Sequence, residues 1–183
     1  MNRVLLISLV VIALSGADCK GVGGTTDAGG TGNPENGSTL LPGSKFDVEV
    51  GTGNMSFQPI GEDSTVMIVC GPQGGQHIWT SIRAAGIDPS HAQISLSIGY
   101  LTAPADGGSA VICGQSLNDV TLSAADGWQE FAGIICFIPH PAEVDGQTVV
   151  LTGTLTDSTG VTATATVRFK ADGPGKSCAL QHP

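Results

Sequence analysis

The stretch from Val66 to Arg83, VMIVCGPQGGQHIWTSIR, reads as strand, turn, strand. Val66 to Cys70 is a short apolar run. His77 to Ala85 alternates, so that Ile78, Thr80, Ile82 and Ala84 share one face and His77, Trp79, Ser81 and Arg83 the other. Gly71-Pro72-Gln73-Gly74 fits a type I turn, with proline at its second position and glycine at its fourth. Gly75 and Gln76 lengthen the connection into a hairpin or a sheet-crossing loop. Bulk on both faces of His77–Ala85 predicts a central strand, covered on one side and partly on the other.

The rest of the chain follows the same grammar. Downstream, Gln93 to Thr102 places Ile94, Leu96, Ile98 and Tyr100 on one face. Short strands are expected at Ala110–Cys113 and Asp119–Ser123. Asp126-Gly127 then turns the chain into Gln129–Ile138, which its Phe131, Ile134, Ile135 and Phe137 predict to be fully buried. Pro139-His140-Pro141 ends it, since neither proline donates to a ladder. Thr148–Thr156 and Val161–Lys170 form the clearest hairpin, joined by Asp157-Ser158-Thr159-Gly160 with glycine placed for a left-handed residue. Upstream, Phe46–Val50 is a first strand, and Met55–Ile60 is expected to continue along an edge. No segment keeps a helical period.

Short strands at this spacing define an all-β fold, a sandwich or barrel. Residues 45–172 resemble immunoglobulin-like domains: Trp79 stands where a third strand would carry its tryptophan, and Val144-Asp145-Gly146 resembles the approach to the sixth strand. The chain lacks the Cys–Trp–Cys spacing of antibody domains and has no tyrosine near the sixth strand. The resemblance implies an immunoglobulin-like antiparallel β-sandwich and carries no site with it. The GPQGG-x-H-x-W stretch is similar to a segment of uncharacterised lipid-anchored bacterial envelope proteins, from which no activity follows.

Composition narrows the function. Glycine is abundant at 27 residues, aromatics make up only 4%, and net charge is −9 with seven Lys and Arg scattered along the chain. No basic cluster exists to neutralise phosphates, so nucleic acid is not an expected partner. The acids fall mostly at turns, where they shape loops and aid solubility.

The N-terminus carries Arg3 and then an apolar run, Val4–Leu14, too short to span a bilayer and suited to a signal peptide over residues 1–18. Leu14-Ser15-Gly16-Ala17-Asp18-Cys19 resembles the lipobox of bacterial lipoproteins, which implies lipid attachment at Cys19. Asp18 departs from that pattern, and Ser15 and Ala17 also satisfy an ordinary cleavage site. Lipid on Cys19 leaves four cysteines, an even number suited to two disulfides in an oxidising compartment. Residues 20–44, rich in Gly, Thr, Asn and Ser, are expected to be a disordered linker spanning about 25–30 Å. Residues 173–183 are left as a C-terminal tail. Four cysteines allow three connectivities. Cys113 with Cys136, flanking the hairpin at Asp126-Gly127, leaves Cys70 with Cys178; the other pairings stay open.

The expected function is a lipid-anchored binding, adhesion or structural module of the bacterial envelope, outer-membrane-anchored, with an envelope protein or glycan as partner. It needs no cofactor and has no catalytic motif. Trp79 is open to two readings: a core tryptophan, or part of an exposed His77–Trp79–Arg83 face that stacks on a sugar ring or a partner. With Gly71–Gln76 before it, and Asp157–Gly160 expected at the same end, that face would form one polar rim. The alternative is a copper protein. Cys136-Phe137-Ile138-Pro139-His140 resembles the copper loop of cupredoxins, which implies Cys136 and His140 as ligands with His77 or His91 from upstream. No axial methionine follows, Glu143 standing near its place, and two long strands come after.

Overall fold

The computed structural model describes residues 39–40, 46–71, 74–102, 110–173 and 178. The strands are β1 (Thr39–Leu40), β2 (Asp47–Thr52), β3 (Gln58–Pro59), β4 (Ser64–Met67), β5 (Val69–Cys70), β6 (Gln76–Ala85), β7 (Ala92–Tyr100), β8 (Val111–Val120), β9 (Ser123–Ala125), β10 (Trp128–Phe137), β11 (Thr148–Thr156) and β12 (Thr162–Asp172). One helical turn, α1 (Pro141–Val144), precedes β11. Among the described residues no helix is long and apolar enough to cross a membrane. The expected signal peptide, Cys19 and most of the linker lie outside the described residues.

The strands form two sheets. The first runs β1-β12-β11-β7-β8, with β4 parallel on β12; the second runs β3-β2-β6-β10-β9, with β5 on β6. The chain crosses between sheets from β6 to β7, from β8 to β9 and from β10 to β11. It also switches between β2 and β4, so its N-terminal part pairs antiparallel with β6 and then parallel with the last long strand. That order is an immunoglobulin-like β-sandwich. Trp79 therefore lies on the second long strand of the sandwich, not the third. β11 occupies the sixth-strand place, with α1 leading into it.

Period-2 patterning explains the hairpin β11–β12. Val149, Leu151 and Leu155 oppose Phe169, Val167 and Ala163, all buried. On the outer face Thr154 meets Thr164 at 2.9 Å and Thr156 meets Thr162 at 2.8 Å. The Asp157 carboxylate closes the turn by accepting the Thr159 and Val161 amides, each at 2.9 Å. The sheets pack tightly at Gly153. A β-carbon there would stand 2.3 Å from Val50 and 2.8 Å from Leu96, one residue from each sheet.

Four expectations are corrected. Val66–Cys70 is not one strand: β4 belongs to the first sheet and β5 to the second. Between them Ile68 is buried, and its amide still donates to Asp172 at 2.7 Å. A five-residue apolar run looks the same whether or not its middle residue changes sheets. Of Met55–Ile60 only Gln58–Pro59 runs along an edge, as β3 beside β2; the rest is unpaired, and Phe57 folds over the outer face at Gly51. β8 is continuous through Gly114-Gln115-Ser116. As an edge strand with exposed side chains there it needs no apolar alternation. β10 is not fully buried. Gly133, at φ +79, forms a bulge that resets its phase, so Ile134 and Cys136 face inward while Ile135 and Phe137 are exposed.

Candidate functional site

β6 is the axis of the second sheet. Its inner side chains Ile78, Thr80, Ile82 and Ala84 are buried in the core. Its outer row, His77, Trp79, Ser81 and Arg83, divides into three environments. At the upper end Arg83 is fully engaged. Its guanidinium bonds the Glu49 carboxylate, Nε donating at 2.7 Å and Nη2 at 2.5 Å. It also lies 4.3 Å from the Phe57 ring and 4.4 Å from the Trp128 ring. Ser81 is buried and donates to the Thr52 carbonyl at 2.6 Å.

At the lower end His77 is 8% exposed, and its imidazole meets the Trp79 indole edge-on at 4.7 Å. Its Nε2 has no hydrogen-bond partner among the described residues. Burial pushes the imidazole below its ordinary pKa, so it is held neutral.

Between these ends lies an opening. One edge of β6 pairs with β2 over Ser81–Ala85 and with β5 over Gln76–His77. Among the described residues no strand lies beside 78–80 there, and the Thr52 hydroxyl caps the Trp79 carbonyl at 2.7 Å. A groove of ≈ 370 Å³ opens at this gap. Half-buried Trp79 borders it, with Thr52, Asn54, Gln58, Thr65 and Met67 around it. Among the described residues no ionisable side chain lines it. Of the expected face His77–Trp79–Arg83, only Trp79 reaches this groove. Exposed Ile135 is Trp79's neighbour across the β6–β10 pair, and exposed Phe137 is His77's.

The expected single rim is not formed. Gly71–Gln76 joins β5 to β6, and the start of β6 lies beside the end of β10, where the Ile138 amide donates to the Gln76 carbonyl at 2.8 Å. Asp157–Gly160 lies at the other end, beside the β6–β7 loop, where the Ser158 hydroxyl approaches Asp88 at 3.4 Å. At that end His91 bonds Asp119 at 2.5 Å, a contact that raises the imidazole's pKa. The Ser90 hydroxyl and amide hold the Asp88 carboxyl low, and the Thr159 hydroxyl does the same for Asp157. This acidic end carries no motif in the sequence, because Asp88, Asp119 and Asp157 come from a loop, the end of β8 and a hairpin turn.

The four cysteines of the sandwich pair off. Cys70 and Cys178 have Cα atoms 5.6 Å apart, and Cys113 and Cys136 5.8 Å apart. The second pair links β8 of the first sheet to β10 of the second. The Asp126-Gly127 hairpin joins β9 to β10 and is not what brings these cysteines together. Both pairs are the ones expected, and Cys178 in the C-terminal tail is thereby tied to the sandwich. The copper arrangement is not assembled. Cys136 is bonded to Cys113, exposed His140 follows β10, and His91 stands at the opposite end from His77. No three His, Cys, Asp or Glu side chains among the described residues group as ligands.

Strand order and cross-links thus define a disulfide-bonded immunoglobulin-like sandwich. The sequence matches no protein-family model and no curated protein. Among solved structures it is similar to the soluble domain of PmoD from Methylocystis sp. ATCC 49242 (Rockwell), at 14% identity over 72% of this chain and 95% of that one, with a TM-score of 0.32. The N-terminal domain of PorA aligns at 14% identity over 70% of this chain and 98% of that one, with a TM-score of 0.25. Likenesses this distant carry no functional argument.

Proposed function

We propose that this protein is a lipid-anchored binding module of the bacterial envelope, attached through Cys19 and without catalytic activity. Cysteine parity is the observation that carries the reading. The chain has five cysteines, and four of them are consumed in two pairs within the sandwich. Cys19 is the one left over, directly after a short apolar segment and before a Gly-rich linker. Disulfides persist in oxidising compartments, which fits export. The working surface is the groove at Trp79, whose lining has no side chain able to act as a general acid or base.

The anchor is tested by expressing Cys19→Ser in a bacterium that processes lipoproteins. The wild type should fractionate with membranes and incorporate labelled palmitate; the variant should do neither and appear in soluble fractions. Unchanged fractionation of the variant, or a mature chain that begins at Asp18, would overturn the anchor.

A further inference from the structure

We propose that the groove beside Trp79 binds a neutral carbohydrate chain; this deepens the binding reading above and rests on it. The groove exists because β2 and β5 approach the same edge of β6 without meeting, leaving residues 78–80 uncovered. Its volume of ≈ 370 Å³ lies in the range of small-molecule sites, about 300–1,000 Å³. What lines it is selective. Trp79 offers an aromatic surface for the C–H face of a sugar ring. Thr65 offers a hydroxyl, Thr52 a hydroxyl oxygen that can still accept while its proton goes to the Trp79 carbonyl, and Asn54 and Gln58 offer amides that both donate and accept. A polyol needs that mixture.

Competing ligand chemistries fit worse. Among the described residues no cation lines the groove, the nearby Arg83 is committed to Glu49, and the chain's net charge of −9 repels anions. A purely apolar ligand would strip water from two amides and two hydroxyls without replacing their bonds. An extended peptide that adds a strand needs an open ladder. Only three residues are uncovered here, and the Trp79 carbonyl is already taken by Thr52.

The platform is also preorganised. The imidazole of His77 sits edge-on against the indole, so little side-chain freedom is lost on binding. Asn54, on the β2–β3 connection, and Gln58, at the start of β3, are by contrast exposed, where substitution leaves the core untouched.

The test is titration calorimetry on the full-length protein in a detergent without a sugar headgroup. The neutral probes are hexasaccharides of β-glucose, α-glucose, mannose and N-acetylglucosamine. Hexagalacturonate serves as the acidic control and a Gly/Thr hexapeptide as the strand-forming one. At least one neutral probe should bind at submillimolar concentration. Trp79→Ala should weaken it by about tenfold or more, and Asn54→Ala with Gln58→Ala should weaken it several-fold at an unchanged melting temperature. The double variant keeps the test decisive if Trp79→Ala does not fold. Absence of binding by every neutral probe, equal or tighter binding of the acid or the peptide, or undiminished binding by the double variant would each overturn the proposal. Retention of the same variants on isolated envelopes separates two failures. If retention drops while no sugar binds, the groove is the working surface but its ligand is not carbohydrate. If retention is unchanged and no sugar binds, the groove itself is the wrong surface.

Discussion

The imidazole of His77 ties together burial, charge and the Trp79 platform. In the unfolded chain it takes its proton near the ordinary value of about 6.5; in the sandwich, burial delays protonation to lower pH. Between those two values the unfolded state holds more protons, so stability is full above about 6.5 and falls as pH drops through the window. His91 acts in the opposite direction. Its bond to Asp119 raises its pKa, so its contribution is present below the ordinary value and is lost as pH rises through the raised one. That ring is 75% exposed, and water screens the effect. His77→Phe should therefore flatten the acid-side slope of stability. It should cost little at neutral pH, because it also removes a buried nitrogen with no partner among the described residues. Urea midpoints at pH 7.5 and pH 5 check this. A variant whose midpoint falls between those values as steeply as the wild type's would show that His77 is not the titrating group.

At the scale of elements, the two cross-links close very different loops. Cys113 and Cys136 are 23 residues apart in sequence, and Cys70 and Cys178 are 108 apart. Loop-closure entropy then assigns about 3 kcal/mol to the first and about 5 kcal/mol to the second. Cys70→Ser with Cys178→Ser should lower the melting temperature more than Cys113→Ser with Cys136→Ser, as read by calorimetry. The reverse order would mean that joining the two sheets outweighs chain entropy. Legibility varied from element to element for physical reasons. β11 and β12 were readable almost to the residue because one face is core and the other solvent, so period 2 is strict. β10 was misread because one glycine at φ +79 reset its phase, and β4–β5 because an apolar run does not record a change of sheet. The site was half legible. Trp79 stood out as one of two tryptophans. The groove did not, because it is a gap between β2 and β5, and its Thr, Asn and Gln side chains come from unrelated turns and edges.

For the whole molecule, the bond from Cys70 to Cys178 moves the domain boundary. The sandwich does not finish at β12; the chain must continue to Cys178 to complete it. A fragment of residues 39–178, which keeps β1, should melt at the same temperature as the chain from Lys20 to Pro183. A fragment of residues 39–172 should melt lower and show one thiol, that of Cys70, to Ellman's reagent. Equal melting of the two fragments would refute the boundary.

The same bond changes how the protein responds to tension. A molecule pulled between its N-terminal anchor and its C-terminal end is loaded along its backbone, and force follows the shortest covalent path. Through Cys70 and Cys178 that path bypasses all of β6 to β12. Only residues 46–70 of the sandwich remain free to unravel under load, at most about 80–90 Å of extra contour length. Without the link, residues 46–178 could pay out roughly 440–480 Å. Pulled between its ends, a module cross-linked in this way yields a short length of slack and then stops, with the strand that carries Trp79 outside that path.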